Sequence, residues 1–359
     1  MPPRIPLLWY TSIVLWLILM MLGVLGSSET AAGGGFESMA REGRWEQILE
    51  VASKRSGQLP MRPEEALIAA HAARVLGDPS AQARFLGLAL SSHDLGSVAK
   101  IELAQLVVDD DPHRALDLVL DYVRRAPSRQ LRHSAIEVVV SAVEAGVDPA
   151  HRSAIERVLP SMSRGSRRPI ELALALSSEP TDRTRLSSLL STSTRDLVAL
   201  TAANELDAAG QLGAVDRWRV GKTLYRHALY ERAIPIFESL DDVHHRQIPR
   251  WEVAYLLGRC AFRRGRWDAA EAWYRTAISR TSSGERRAEL EVHLGRTHEL
   301  AGEMDDAVAA AQRAVRFKTT DDRRLFLARL RLRRTEPELA QAGLARVRSR
   351  TARSRGVFM

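Results

Sequence analysis

Four cations recur at one register of this 359-residue chain. Lys222, Arg259 and Arg296 lie 37 apart, and Arg329 follows at a step of 33. Trp218 and Tyr255 precede the first two by four residues, about one helical turn. A row of ammonium and guanidinium groups suits carboxylates, so an acidic peptide or a carboxylate-bearing polymer is the ligand it would recognise. The competing reading is a solvated polar face in an arginine-rich chain.

Other chemistries fail on spacing. Gly221-Lys222-Thr223 suggests a phosphate loop, but that motif needs a glycine five residues earlier, where Asp216 stands, and a preceding strand. Asp241, Asp242, His244 and His245 share one turn, yet no further ligand is positioned with them. His293 and His298 are five apart, off a common helix face. Glu37-Ser38 and Glu238-Ser239 each lack the second carboxylate of a glycosidase. Cys260 is the one cysteine, which excludes an intrachain disulfide and points to a core thiol. The sequence therefore gives no catalytic residue, no metal site and no cofactor.

The elements that must carry the cation row are helical hairpins. The 37-residue step takes Gly221 to Gly258 to Gly295, Ala233 to Ala270 to Ala307, and Tyr230 to Trp267 to Met304. It also takes Leu240 to Ala277 to Ala314. A fourth copy at a step of 33 places Ala328, Ala340, Leu344 and Val347. In YLLGRCAFRRGRWDAAEAWYRTAI (255–278), Leu257, Gly258 and Ala261 form one apolar stripe. Gly265 ends the first helix, and Trp267, Ala270, Tyr274 and Ala277 form the inner stripe of the second. Small residues at Gly258 and Ala270 allow close approach, while Trp267 and Tyr274 fill the adjacent space. The first copy has Ala228 at the turn. The extra length over a 34-residue repeat is expected in the turns DDVHHRQIP after Leu240 and TSSGERR after Arg280.

Leu-Gly, then Gly-x-Trp, then Ala, Tyr and Ala at these spacings resembles the tetratricopeptide repeat (TPR). The resemblance implies that the position after each repeat glycine faces the concave side, so Lys222, Arg259, Arg296 and Arg329 would line one groove with Trp218 and Tyr255. TLYRHALYERAIPIFESL (223–240), followed by the second copy, also resembles the superhelical N-terminal region of soluble lytic murein transglycosylases. No residue matches the catalytic motif of those enzymes, so catalysis is not carried over.

Residues 7–25, LLWYTSIVLWLILMMLGVL, carry no charge and would span about 28 Å as a helix, close to a bilayer core. Trp9 and Tyr10 suit an interface, and Arg4 precedes the run. A cleaved signal peptide is the rival reading. Further on, Asp78-Pro79 recurs as Asp111-Pro112, and Asp148-Pro149 and Thr181-Asp182 mark further helix starts. Only Lys54, Lys100, Lys222 and Lys318 are lysine among 52 basic residues, a bias of a G- and C-rich genome that discounts the net charge of +8 as a sign of nucleic-acid binding.

The expected fold class is all-α: a right-handed α-solenoid of TPR-like helical hairpins with an N-terminal transmembrane helix. The expected divisions are 1–28, a transmembrane anchor or signal peptide; 29–36, a flexible linker; 37–212, degenerate helical repeats; 213–349, TPR repeats; and 350–359, a basic tail. The expected localisation is single-pass in the bacterial cytoplasmic membrane, with the bulk of the chain periplasmic. The expected function is a non-enzymatic membrane-anchored scaffold for protein–protein interactions at the cell envelope, with an acidic protein or peptide partner. The alternative is the solenoid accessory module of a truncated or split lytic transglycosylase engaging peptidoglycan.

Overall fold

The structure, a computed structural model, describes residues 34–55, 60–93, 95–125, 128–345 and 347. Among these the chain forms nineteen α-helices and one short 3-10 turn, Leu159–Ser161. No strand occurs among them; a single isolated bridge joins His245 and Ile248. The helices fall into two compact units, one ending at Met162 and the other beginning at Ser163.

The first unit holds α1 (Gly34–Arg41), α2 (Trp45–Arg55), α3 (Pro63–Val75), α4 (Pro79–Ala89), α5 (Gly96–Val107), α6 (Pro112–Arg125), α7 (Arg129–Ala145) and α8 (Pro149–Val158). Its helix starts are written in the sequence. Asp78, Asp111 and Asp148 each stand before a proline and accept the backbone N–H three residues on, at 2.9, 3.0 and 2.8 Å. Phe85, Leu86, Leu116 and Val119 are fully buried, as a hairpin core requires. Of the expected linker 29–36, residues 29–33 lie outside the described residues. Gly34 and Gly35 begin α1, because Phe36 is buried against the core that α2 and α3 share.

The second unit holds α9 (Arg164–Leu176), α10 (Arg183–Thr192), α11 (Leu197–Ala209), α12 (Ala214–Arg226), α13 (Tyr230–Glu238), α14 (Arg250–Arg263), α15 (Trp267–Ser279), α16 (Gly284–Ala301), α17 (Met304–Phe317), α18 (Asp321–Arg333) and α19 (Pro337–Leu344). From α12 onward the helices are paired as the 37-residue step requires. Tyr230, Trp267, Met304 and Pro337 each open a second helix. Ala233, Ala270, Ala307 and Ala340 are all fully buried. A Cβ on Gly258 would lie 2.8 Å from the Tyr274 ring, and one on Gly221 would lie 2.8 Å from Phe237. In each case a ring of the second helix sits against bare backbone of the first. The DDVHHRQIP stretch does form the turn between α13 and α14. TSSGERR does so only through Thr281–Ser283. Ser283 caps α16, and Gly284–Arg287 are its first turn.

The expected span at residues 7–25 lies outside the described residues, as does the tail 350–359. Among the described residues no helix is long and apolar enough to cross a membrane, and the single-pass localisation does not stand. The longest, α16, shows why: over 18 residues it carries Glu285, Arg286, Arg287, Glu289, Glu291, Arg296 and Glu299.

The hairpin turn of every copy takes a left-handed residue: Ala228 (φ 60), Gly265 (φ 69), Gly302 (φ 86) and Thr335 (φ 65). A side chain there costs about 1–2 kcal/mol that glycine avoids. Ala228→Gly and Thr335→Gly should each raise unfolding stability by about 0.5–1 kcal/mol, after the greater unfolded-chain entropy of glycine is subtracted. Gly265→Ala should lower it by a similar amount. Urea unfolding of the three variants measures all of these shifts.

Candidate functional site

The first helices α12, α14, α16 and α18 each present one of the four recurring cations. Their surroundings differ. Lys222 lies over the Trp218 ring, 4.8 Å from its centroid, and donates to Glu252 Oε1 at 3.0 Å. Arg329 donates to Glu299 at 2.7 Å and lies 5.3 Å from the Phe326 centroid. The Glu299 carboxylate is shared with Arg333. These two cations are therefore neutralised between neighbouring repeats.

Arg259 and Arg296 are not. Among the described residues neither is paired with a carboxylate. The Lys222–Glu252 pair would recur one period on as Arg259–Glu289, but Glu289 is exposed and makes no such pair. Arg259 instead folds over Tyr255, one turn before it, with 5.9 Å to the ring centroid, and its Nη1 donates to the phenol oxygen at 3.3 Å. Its Nε is buried without a partner. Burial opposes its charge, yet the phenols of Tyr255, Tyr225 and Tyr274 hold its pKa above the ordinary value. Arg296 is exposed and packs 5.8 Å from Phe326, so this one ring carries both Arg296 and Arg329.

His293 of α16 sits between the two unpaired arginines. Its ring stacks on Tyr274 at 5.6 Å and meets Tyr255 at 5.3 Å, with Nε2 3.4 Å from the Tyr255 hydroxyl. Burial, then repulsion from Arg259 and Arg296, lowers its pKa to about 3. It is neutral at physiological pH and adds no third charge. Trp251 continues the aromatic surface and carries Arg286 at 4.5 Å. Beyond Lys222 the strip opens into a groove of about 360 Å³ lined by Thr192, Thr194, Val215, Trp218 and Arg226.

All six residues expected to bind a partner thus sit on first helices of the second unit, with different exposure. Trp218 is 6 % exposed and edge-on to Phe237, so its part is to seat Lys222. Spacing did not reveal Glu252, Glu299 or His293. Glu252 had one signal, its repetition as Glu289, but pairing depends on rotamers that a period does not fix. Gly221-Lys222-Thr223 lies inside α12, where the Thr223 hydroxyl donates to the Arg219 carbonyl at 2.9 Å, which removes the phosphate-loop geometry. Cys260 is fully buried, and burial raises its thiol pKa to about 12.

Comparison with known proteins bears on the repeat alone. Residues 221–288 match the family described as tetratricopeptide repeat. The match runs from within α12 through α13, α14 and α15 to the first turn of α16, and it is a match to the repeat over that stretch. Similar solved structures include a tetratricopeptide repeat protein from Parabacteroides merdae, 14 % identical, with 75 % of this chain and 98 % of that one covered and a TM-score of 0.31. Another is the human IFIT1 dimer with m7Gppp-AAAA, 13 % identical, with 84 % and 72 % covered and a TM-score of 0.33. The fold rests on the hairpin geometry and on the repeat match over residues 221–288. No curated protein matches, and the wider resemblance to lytic murein transglycosylases gains no support.

Two tests follow from the aromatic cluster. The Tyr274 hydroxyl is buried without a hydrogen-bond partner, and the same position in the preceding copy is Phe237. Tyr274→Phe should leave stability unchanged or raise it by up to about 1 kcal/mol in thermal unfolding. His293, with its folded pKa below the unfolded value of 6.5, stabilises fully above pH 6.5 and loses that contribution as pH falls toward 3. Between neutral pH and pH 4.5, His293→Gln should lose roughly 1–2 kcal/mol less than the wild type in urea unfolding.

Proposed function

We propose that the second unit is an interaction scaffold that binds an acidic peptide segment of a protein partner across α14 and α16. Arg259 and Arg296 grip the carboxylates. Tyr255, Trp251 and the neutral His293 ring supply the flat surface between them. The observation that carries this reading is the asymmetry of the four cations: Lys222 and Arg329 have carboxylate partners, whereas Arg259 and Arg296 have none among the described residues. A half-buried guanidinium with phenols but no carboxylate around it keeps donors in a fixed fork, the arrangement that takes a carboxylate bidentately. Burial on one side lowers the local dielectric and strengthens the pair.

The reading narrows the recognition surface. Of the four cations of the recurring row, two are matched by Glu252 and Glu299, which leaves Arg259 and Arg296 as the members of the row that recruit a ligand. The TPR superfamily as a class binds proteins and peptides, and the repeat match places the same hairpins here. The test is binding of the full chain to an array of peptides graded from acidic to basic, read by fluorescence anisotropy on the hits. Acidic peptides should bind, and affinity should fall as salt rises. Arg259→Glu and Arg296→Glu should each weaken binding at least tenfold, with helicity unchanged by circular dichroism. Lys222→Gln and Arg329→Gln should change it less than threefold, because their charge is already spent on a repeat neighbour. Equal losses from all four positions would show an undifferentiated basic face and defeat the proposal.

A further inference from the structure

The first unit carries a cluster of a different kind. His113 is the second residue of α6, and Asp117 lies one turn further on. Asp148 caps α8, and His151 is its third residue. The hairpin geometry brings all four together. The His113 and His151 rings stand 4.9 Å apart, centroid to centroid. His113 Nε2 is 3.6 Å from Asp148 Oδ2, and His151 Nδ1 is 3.0 Å from that same oxygen. One donor atom from each of His113, Asp148 and His151 lies within 4.8 Å of the others. On the far side of the His151 ring, Nε2 is 3.4 Å from Asp117 Oδ1.

We infer that His113, Asp148 and His151 form a binding site for a divalent transition metal of the zinc class, with Asp117 as a positioning residue. Ligands at about 2.1 Å around a tetrahedral zinc are about 3.4 Å from one another, and the two edges at Asp148 Oδ2 bracket this value. Two imidazoles and one carboxylate leave a fourth position open to water, as a solvent-facing site would. The hydrogen bonds already separate the roles of the atoms. Asp148 uses Oδ1 to cap α8, accepting the His151 N–H at 2.8 Å, which leaves Oδ2 for the ion. With an ion at Nδ1, Asp117 stands at Nε2 to accept the remaining ring proton. His113 Nε2 accepts the Asp148 amide N–H at 3.2 Å, so its lone pair already faces inward. That amide is exposed and turns to water when a metal takes the lone pair.

Charge supports the same ligand. Asp148 and Asp117 supply two negative charges that balance a divalent ion. The mixture of imidazole and carboxylate favours zinc, nickel or copper over calcium or magnesium, which take oxygen alone. The cluster of Glu271, His298 and Glu303 in the second unit is a poorer candidate. Its single imidazole turns one nitrogen, Nδ1, toward both carboxylates, at 3.9 and 2.6 Å.

The experiment uses the tag-free full chain, stripped with chelator and titrated with Zn2+ by calorimetry. Co2+ then serves as the spectroscopic probe. The expected result is one Zn2+ per chain and a Co2+ visible spectrum of four-coordinate intensity. His113→Gln and His151→Gln should each abolish the Co2+ spectrum and weaken Zn2+ more than the roughly tenfold expected for Asp117→Asn. Asp148→Asn, which keeps the cap, should also lose the metal while retaining the helicity of the wild type. His133→Gln, an exposed histidine paired with Glu137, should bind as the wild type does. The inference fails if His113→Gln and His151→Gln bind Zn2+ like the wild type, or if the loss follows His298→Gln instead.

Discussion

A bulky ring laid against a glycine backbone is the contact on which the regular half of this chain depends. Phe237 against Gly221 and Tyr274 against Gly258 each close one hairpin, and neither leaves room for a Cβ. The third copy has Ala311 where those rings stand, yet its glycine is not left uncovered. Phe326, from the first helix of the next copy, lies 3.1 Å from where a Cβ on Gly295 would be. The missing volume is supplied from the neighbouring repeat. Close packing is kept even though the residue that provides it has moved.

That substitution has an electrostatic result. In the first two copies an aromatic one turn before the cation, Trp218 or Tyr255, carries Lys222 or Arg259. In the third the equivalent residue is Val292, which offers no ring face. Phe326 takes over, and because it reaches from α18 to α16 it carries Arg296 and Arg329 together. Core packing therefore decides where the cations of the surface row rest. The carboxylates then decide which of them lack an ion-pair partner: Glu252 and Glu299 pair with two, and Glu289, in the right register, pairs with none.

Backbone features were legible because each follows from a single residue type. Asp-Pro gives a capped helix start, and Gly265 and Gly302 give left-handed turns. The periodic alanines give a buried stripe. Even Ala228, an exception to the glycine pattern, keeps the turn and takes φ 60. Side-chain partnerships were not legible, since they depend on which of several long rotamers is taken across a repeat boundary. The row of four cations is visible at a 37-residue spacing, but its division into paired and unpaired members is not. The last residues of the expected linker show a related limit. Gly34 and Gly35 read as flexible until Phe36 is seen to be buried, and burial of one aromatic outweighs the helix penalty of two glycines, about 1 kcal/mol each.

The same limit explains the histidine cluster of the first unit. Asp111-Pro112-His113 and Asp148-Pro149-Ala150-His151 begin 37 residues apart, the step that governs the second unit. Read as helix starts, the two Asp-Pro pairs are alike, and the histidines behind them pass as ordinary first-turn residues. A period of one hairpin places successive starts at the same end of the stack. Whatever follows each cap is then brought to its counterpart, here at a ring separation of 4.9 Å. A repeat that conserves nothing but its caps still juxtaposes the side chains after them. In a solenoid, polar residues one period apart in sequence are the first place to look for a site that no local motif announces.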